Sequence, residues 1–279
     1  MDIVIRRLTY ADIDAGLRLG AQNGWNQRDA DWRRQLDLEP EACFAAEADG
    51  QVVGTACACV FEHVAWVNLV LVDQMWRGKG IGTRLMRYVL AYLDERGIPS
   101  IRLDATPLGQ PVYEKLGFKV EYTLTRYDGT GAVKPPWAPG IEVARHSDLS
   151  DIAELDRAIT GTPRAKLLHH LLGARDGKLL VARRANTLAG YAGYRPGAHA
   201  WQIGPCMGGP TECIMLLHTI MLFVGQRTFI DVPQGLEESN AVVVGLGLKR
   251  QRTLTRMGRG PRIHEDLKRM WCSFGPEKG

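Results

Sequence analysis

Residues 2–8 (DIVIRRL) mix apolar and polar side chains in a strand pattern. Thr9 or Asp12 can cap the helix that follows, with Ile13, Leu17 and Leu19 among its apolar positions. Asn26 or Asp29 can cap a second helix bearing Trp32, Leu36 and Leu38, which Pro40 ends. Over 42–60 the chain reads as a hairpin, ACFAAEA and QVVGTACACV about an Asp49-Gly50 turn. A further strand, 64–72 (VAWVNLVLV), runs into Arg77-Gly78-Lys79-Gly80-Ile81-Gly82-Thr83. Leu85, Met86, Val89, Leu90 and Leu93 then recur at helical spacing until Gly97 and Pro99. SIRLD at 100–104 predicts a strand, 110–116 a short helix closed by Gly117, and 118–127 a last long strand. The order β-α-α-β-β-β-α-β-α-β makes a mixed, layered α/β domain. Residues 128–140 (DGTGAVKPPWAPG) hold many Gly and Pro with little periodicity, as a linker does.

Beyond that linker the pattern recurs. Gly117-Phe118 leads to Thr123-Leu124-Thr125-Arg126, and Gly247-Leu248 leads to Thr253-Leu254-Thr255-Arg256 in the same register. IRLDATP at 101–107 parallels FIDVPQ at 229–234, and Arg7 to Leu17 parallels Arg145 to Leu155. GKLLVARRANTLAGYAGYRPG reads as a second hairpin and AWQIGP as the counterpart of strand 64–72. A four-residue match is weak alone; in register with a matching strand before it, it argues for an internal duplication. Where Arg77–Gly82 should recur stands Gly204-Pro205-Cys206-Met207-Gly208-Gly209-Pro210, without the basic residues and with two prolines that remove N–H donors.

The 279 residues suit two domains. Charged residues are 24% and the net charge is +4, without a Lys/Arg run dense enough to track nucleic acid. No apolar run approaches a membrane span and the N-terminus lacks a signal pattern, so no membrane association and a cytoplasmic location are expected. The six cysteines, at 43, 57, 59, 206, 213 and 272, form no C-x-x-C pair and read as small buried hydrophobes. His169-His170 lacks a third ligand that the sequence can place, and no metal is expected.

A strand that feeds a glycine loop into a helix start can hold a phosphate: the first amides are free, the helix dipole favours an anion, and glycine admits close approach. The loop lacks the Rossmann spacing and the Gly-Lys-Ser/Thr ending of a P-loop. Arg77-x-x-Gly80-x-Gly82 resembles the acyl-CoA loop of the GNAT superfamily of N-acetyltransferases, and Tyr113-Glu114-Lys115-Leu116-Gly117-Phe118 resembles the second signature of that superfamily. The resemblance covers the first half, and the second half is similar to a degenerate copy. It implies an α/β (α+β layered) fold of two GNAT-like domains, each a mixed, mostly antiparallel sheet flanked by helices. Residues 1–130 would be the acetyl-CoA-binding catalytic domain, 131–140 a linker and 141–279 a degenerate GNAT-like domain.

The resemblance also implies roles. Amides of Gly78, Gly80, Ile81, Gly82 and Thr83 would hold the pyrophosphate of acetyl-CoA, with Arg77 and Lys79 adding charge. Main-chain groups at Leu71 and Val72 would meet the pantetheine arm and thioester. Tyr113 would protonate the leaving thiolate, or pack in the core beside Phe118. Trp25 and Asn26 would border the acceptor, a small-molecule or protein amine, or simply pack. Strand 64–72 has no ionisable side chain, so the base found there in some members does not transfer. Glu62, His63 and Asp73 flank the strand, and proton loss through water is an equal alternative. The rival readings are a non-catalytic acyl-CoA sensor and an interaction protein. The acceptor and the oligomeric state are not legible.

Overall fold

The computed structural model describes residues 2–131 and 140–279, so 132–139 of the predicted linker lie outside the described residues. In chain order the first half gives β1 (Val4–Arg7), α1 (Ile13–Gln22), α2 (Asp29–Leu38), β2 (Cys43–Ala48), β3 (Gln51–Phe61) and β4 (Val64–Val72). It continues with α3 (Ile81–Glu95), β5 (Ser100–Ala105), α4 (Gln110–Glu114) and β6 (Lys119–Thr130). The second half gives β7 (Ile141–Val143), α5 (Leu149–Thr160), α6 (Ala165–Gly173), β8 (Lys178–Arg184), β9 (Thr187–Arg195) and β10 (Trp201–Gly208). It ends with α7 (Pro210–Val224), β11 (Arg227–Pro233), α8 (Glu237–Gly245), β12 (Lys249–Arg259) and β13 (Met270–Cys272). The predicted elements form, with one extension. Asp128-Gly129-Thr130, read above as linker, continue β6, because β11 pairs with them and Arg227 binds the Asp128 carboxylate.

All strands join one mixed sheet, in the order β1-β2-β3-β4-β5-β12-β6-β11-β10-β9-β8-β7, with β13 on β10. Most pairings are antiparallel; β4–β5 and β10–β11 are parallel. β3 is buried almost throughout because helices cover both its faces. On one face α3 packs Ile81, Leu85, Met86, Val89 and Leu93 against small residues such as Ala46, Ala56 and Ala58. On the other, α1 and α2 bring Ile13, Leu19, Trp32 and Leu36 against Cys43, Cys57 and Leu69. A third cluster joins the halves, with Phe61 and Trp66 among Ile152, Leu167, Leu168, Met207 and Phe274. The six cysteines are free and buried.

The halves exchange their last long strands. β12 lies between β5 and β6, and β6 lies between β12 and β11. The two TLTR segments meet there antiparallel: Leu124 faces Leu254, Thr123 faces Thr255 and Thr125 faces Thr253. A local twofold thus passes between the two leucines. Each repeated arginine crosses to the other half's aspartate. Arg126 reaches Asp231 at 2.7 Å through both branches, and Arg256 reaches Asp104 at 2.8 and 2.9 Å. All four side chains are buried. The sequence halves and the sheet halves therefore differ by one strand each.

Candidate active site

Asp73 ends β4 and caps the single turn Gln74–Trp76: its carboxylate accepts from the Met75 N–H and pairs with Arg18. Burial pushes this carboxyl up, but the Met75 N–H, Arg18 and Gln22 outweigh it and hold it below the usual range. It serves as an ionised cap and lies outside the cavity described next. The loop then turns on Gly78 and Gly80, at φ +76° and +77°, a region costly to residues with a Cβ. Gly80 is the N-cap of α3, and the first helical bond runs from the Arg84 N–H to the Gly80 carbonyl. The amides of Ile81, Gly82 and Thr83 are left free at the positive end of a helix of four turns, a seat for an anion. The Arg77 guanidinium lies on this rim and donates to Asn23 Oδ1 at 2.5 Å. Lys79 turns away onto the Trp76 ring, 4.5 Å from its centroid.

β4 and β5 pair only from Val64 to Trp66 and then part. Leu69 sits at φ +51°, and β4 carries one extra residue here opposite β3. Such a bulge in a non-glycine residue costs about 1–2 kcal/mol, and Thr55 pins it by donating to the Leu69 carbonyl at 2.7 Å. From Val67 to Val72 the β5-facing edge of β4 has no strand partner among the described residues. A cavity of about 530 Å³ opens in that gap. It runs from Arg77, Gly78 and Ile81–Thr83 past Val70, Leu71 and Val72 to Tyr113.

Tyr113 stands on α4 with its ring against Gly109, where an added Cβ would lie 2.9 Å from the ring. It also meets Phe118 edge-on, with centroids 6.1 Å apart. Its hydroxyl has no hydrogen-bond partner among the described residues, and burial pushes the phenol well above its usual pKa. Trp25 and Asn26 line the same cavity. Asn26 is fully occupied: it accepts from the His199 and Ala200 N–H groups and donates to the Ala200 carbonyl, tying the α1–α2 segment to the second half. Glu62 and His63 form the exposed β3–β4 turn, at the opposite end of β4 from the loop.

Several lining residues escaped the sequence reading because they meet only in the folded chain: Arg126 and Arg252 come on the exchanged strands, and the others from α2, β5, β9, β10 and the last residues. Asp31, Asp104 and Glu277 supply carboxylates, and Arg126, Arg195, Gln202 and Arg252 face them. Asp31 pairs with Arg34 and Arg195, Glu277 with Arg195, and Asp104 with Arg256. The repeated Arg and Asp of the two halves were the available signal for Asp104 and Arg126.

The second half closes its equivalent site from within. β10 and β11 also pair briefly, from Trp201 to Ile203, and then part. That gap is filled by β13, where Cys272 faces Cys206 and Met270 faces Met207. A single residue, Gly209, separates β10 from α7, so no loop forms. The buried Glu212 carboxylate lies in the first turn of α7 and pairs with Arg184 at 2.6 Å. The helix end that would attract a ligand anion holds the protein's own. Among the described residues no cluster of His, Cys, Asp and Glu could hold a metal, and no helix is long and apolar enough to cross a membrane.

A mixed sheet that splays at one strand and feeds a glycine loop into the next helix defines an acyltransferase fold. Comparison with known proteins agrees: the acetyltransferase (GNAT) family matches residues 15–118, and a GNAT acetyltransferase domain matches residues 152–272. The chain belongs to the GNAT superfamily, in its tandem form. The uncharacterized N-acetyltransferase YitH of Bacillus subtilis (strain 168) is 25% identical over 68% of each chain. The holothin acyltransferase of Pseudoalteromonas sp. (strain SANK 73390) is 24% identical over 75% of this chain and 70% of its own. A crystal structure of a candidate acetyltransferase from Pyrococcus horikoshii superposes with a TM-score of 0.86 at 22% identity, covering 99% of this chain and 96% of its own. A tandem GNAT protein from the clavulanic acid biosynthesis pathway gives 0.66 at 14% identity, covering 94% and 100%. At these identities the two structures show the fold alone.

Proposed function

We propose that the protein transfers an acetyl group from acetyl-CoA to a primary amine, using the first half alone. One observation carries this reading. A single cavity joins the glycine loop, the unpaired edge of β4 and the free hydroxyl of Tyr113, while β13 and Glu212 fill the matching places of the second half. Acetyl-CoA would supply an activated thioester. The amides of Ile81, Gly82 and Thr83 hold its pyrophosphate, with Arg77 adding charge. The exposed edge at Leu71 and Val72 aligns the acyl arm and offers an N–H to the carbonyl oxygen as negative charge develops. The amine nitrogen bonds to the acyl carbon as the carbon–sulfur bond breaks. Tyr113 donates its proton to the departing sulfur.

Each lining carboxylate is engaged by a guanidinium, Asp31 and Glu277 by Arg195 and Asp104 by Arg256, although burial raises the Asp104 carboxyl above its usual range. The amine therefore loses its proton to solvent in the cavity. Deprotonating a lysine-like amine at pH 7 costs roughly 4–5 kcal/mol, and an α-amine much less. The same paired carboxylates favour a second reading, an acyl-CoA sensor without turnover.

Calorimetric titration of acetyl-CoA into the wild type and Arg77→Ala tests the coenzyme site. The expected result is binding by the wild type that the variant weakens; absent or equal binding overturns it. Thiol release across a panel of primary amines then separates enzyme from sensor. Coenzyme binding with no turnover on any amine leaves the sensor.

A further inference from the structure

Arg252 has no part in the fold's ion pairs or in the steps above. It lines the cavity on β12, directly opposite Arg126 on β6, and Arg126 in turn faces Asp231 on β11. Like charges side by side on neighbouring strands repel, so this row needs compensation. Arg126 receives it from Asp231. The other cavity arginine beyond the loop, Arg195, is held between Asp31 and Glu277. Arg252 has the charge of Asp231 only at a distance: among the described residues no carboxylate lies within ion-pair distance, and its buried Nε has no hydrogen-bond partner. Burial, and next the charge of Arg126, push its guanidinium pKa down by more than the charge of Asp231 raises it. An unpaired, half-buried guanidinium is expensive unless something anionic meets it.

The charge balance indicates what would meet it. Asp31, Glu277, Asp231 and Asp104 are matched against Arg34, Arg195, Arg126 and Arg256. Arg77 belongs to the coenzyme loop. Of the arginines that line the cavity outside the loop, Arg252 alone has no carboxylate partner among the described residues, and its planar fork of donors has the geometry to fit a carboxylate. A phosphate ester, nearer to two negative charges, would call for a second free cation. Gln202, beside it in the cavity lining, has its amide committed to Asp231 and Arg126. We propose that the acceptor is an amine that also carries a carboxylate, and that Arg252 receives this carboxylate while the amine faces Tyr113. This inference rests on the acyltransferase reading above. It assigns to the second half a direct role in selecting the acceptor, through a strand it lends to the first.

The test uses the full chain saturated with coenzyme A. Amino acids and ω-amino acids are titrated calorimetrically beside their carboxamides and beside phosphorylated amines, and acetylation of the same compounds is followed by thiol release. At least one free acid is expected to bind about tenfold to a hundredfold more tightly than its carboxamide, the range of a charged hydrogen-bonded contact. Arg252→Gln should raise KM for that acid by the same factor with little change in kcat, collapsing the acid-to-amide ratio to about one. Arg252→Lys should restore part of the ratio. Because Arg252 makes no ion pair, thermal unfolding should report an intact fold in Arg252→Gln. Carboxamides that match their acids, an Arg252→Gln variant that still discriminates, or preference for phosphorylated amines would each overturn the proposal. Coenzyme A binding with no binding of any free acid overturns it while leaving the coenzyme site standing. Failure to bind coenzyme A overturns the reading beneath it.

Discussion

Arg126 on β6 grips Asp231 on β11 through both guanidinium branches, each at 2.7 Å, with neither side chain more than a few per cent exposed. Breaking such a pair from one side strands a charge in the interior. Asp231→Asn should lower the unfolding free energy by about 3–5 kcal/mol, read from urea denaturation. The paired change Arg126→Met with Asp231→Leu should recover most of that loss, since the desolvation penalty goes with both charges. A double variant as weak as the single one would mean that packing, not charge, explains the loss.

The glycine loop allows a cleaner separation of binding from folding. An added Cβ at Gly80 meets nothing within 4 Å, so Gly80→Ala carries only the backbone cost of its φ of +77°. That cost is about 1–2 kcal/mol. If the local turn relaxes to avoid it, the α3 amides lose their aim. Affinity for acetyl-CoA should fall at least about tenfold while far-UV circular dichroism stays unchanged. Unchanged affinity would remove the loop from the coenzyme site.

Tyr113→Phe removes one oxygen and leaves the contacts with Gly109 and Phe118. Under the proposed chemistry kcat should drop about 10²- to 10⁴-fold with little change in KM for acetyl-CoA. The direction of the pKa shift adds a sign. Burial raises the phenol above its ordinary value of about 10, so Tyr113 keeps its proton throughout the neutral and mildly alkaline range. The ratio of wild-type to variant rate should therefore stay constant between about pH 7 and 9.5. A ratio that declines through that range would mean a titrating acid other than this buried phenol.

Acid stability follows from Asp31 and Glu265. Burial alone would raise the Asp31 carboxyl, yet Arg195 and Arg34 outweigh it and hold it below the usual range. Glu265 is held down in the same way by Arg256 and Arg102. In both, the folded pKa is lower than the unfolded value, about 3.9 for Asp and 4.3 for Glu. Near pH 4 the unfolded chain binds more protons, so stability rises with pH there. The contribution is complete above about pH 5 and disappears as pH falls through the unfolded pKa toward the folded one. Urea midpoints between pH 6 and 3 should show this loss, and Asp31→Asn should flatten it. Equal slopes in wild type and variant would count against the assignment.

Local pattern was enough for the first half's elements and for the loop, because the Asp49-Gly50 turn, the Gly97 stop and the spacing of Leu85 to Leu93 act over a few residues. The repeat was legible too, but not its use. Thr123–Arg126 and Thr253–Arg256 looked like equivalent ends of two separate sheets, whereas they lie against each other about Leu124 and Leu254. Pairing across more than a hundred residues leaves no local trace. Arg252 and Gln202 were invisible as cavity residues for that reason, and Glu277 because the chain's last residues return to the first half, where Asn68 donates to the Glu277 carbonyl. Asn26, which lines the cavity, also binds Ala200 and His199, a contact between the halves that the sequence did not show.

The place of β12 between β5 and β6 also has a consequence for synthesis on the ribosome. β5 is made more than a hundred residues before the strand that covers its edge. Until then the nascent first half carries an unpaired edge of the kind that invites wrong partners. A chain stopped anywhere upstream of β12 would thus leave the edge of β5 uncovered, although every residue of the glycine loop had already been made.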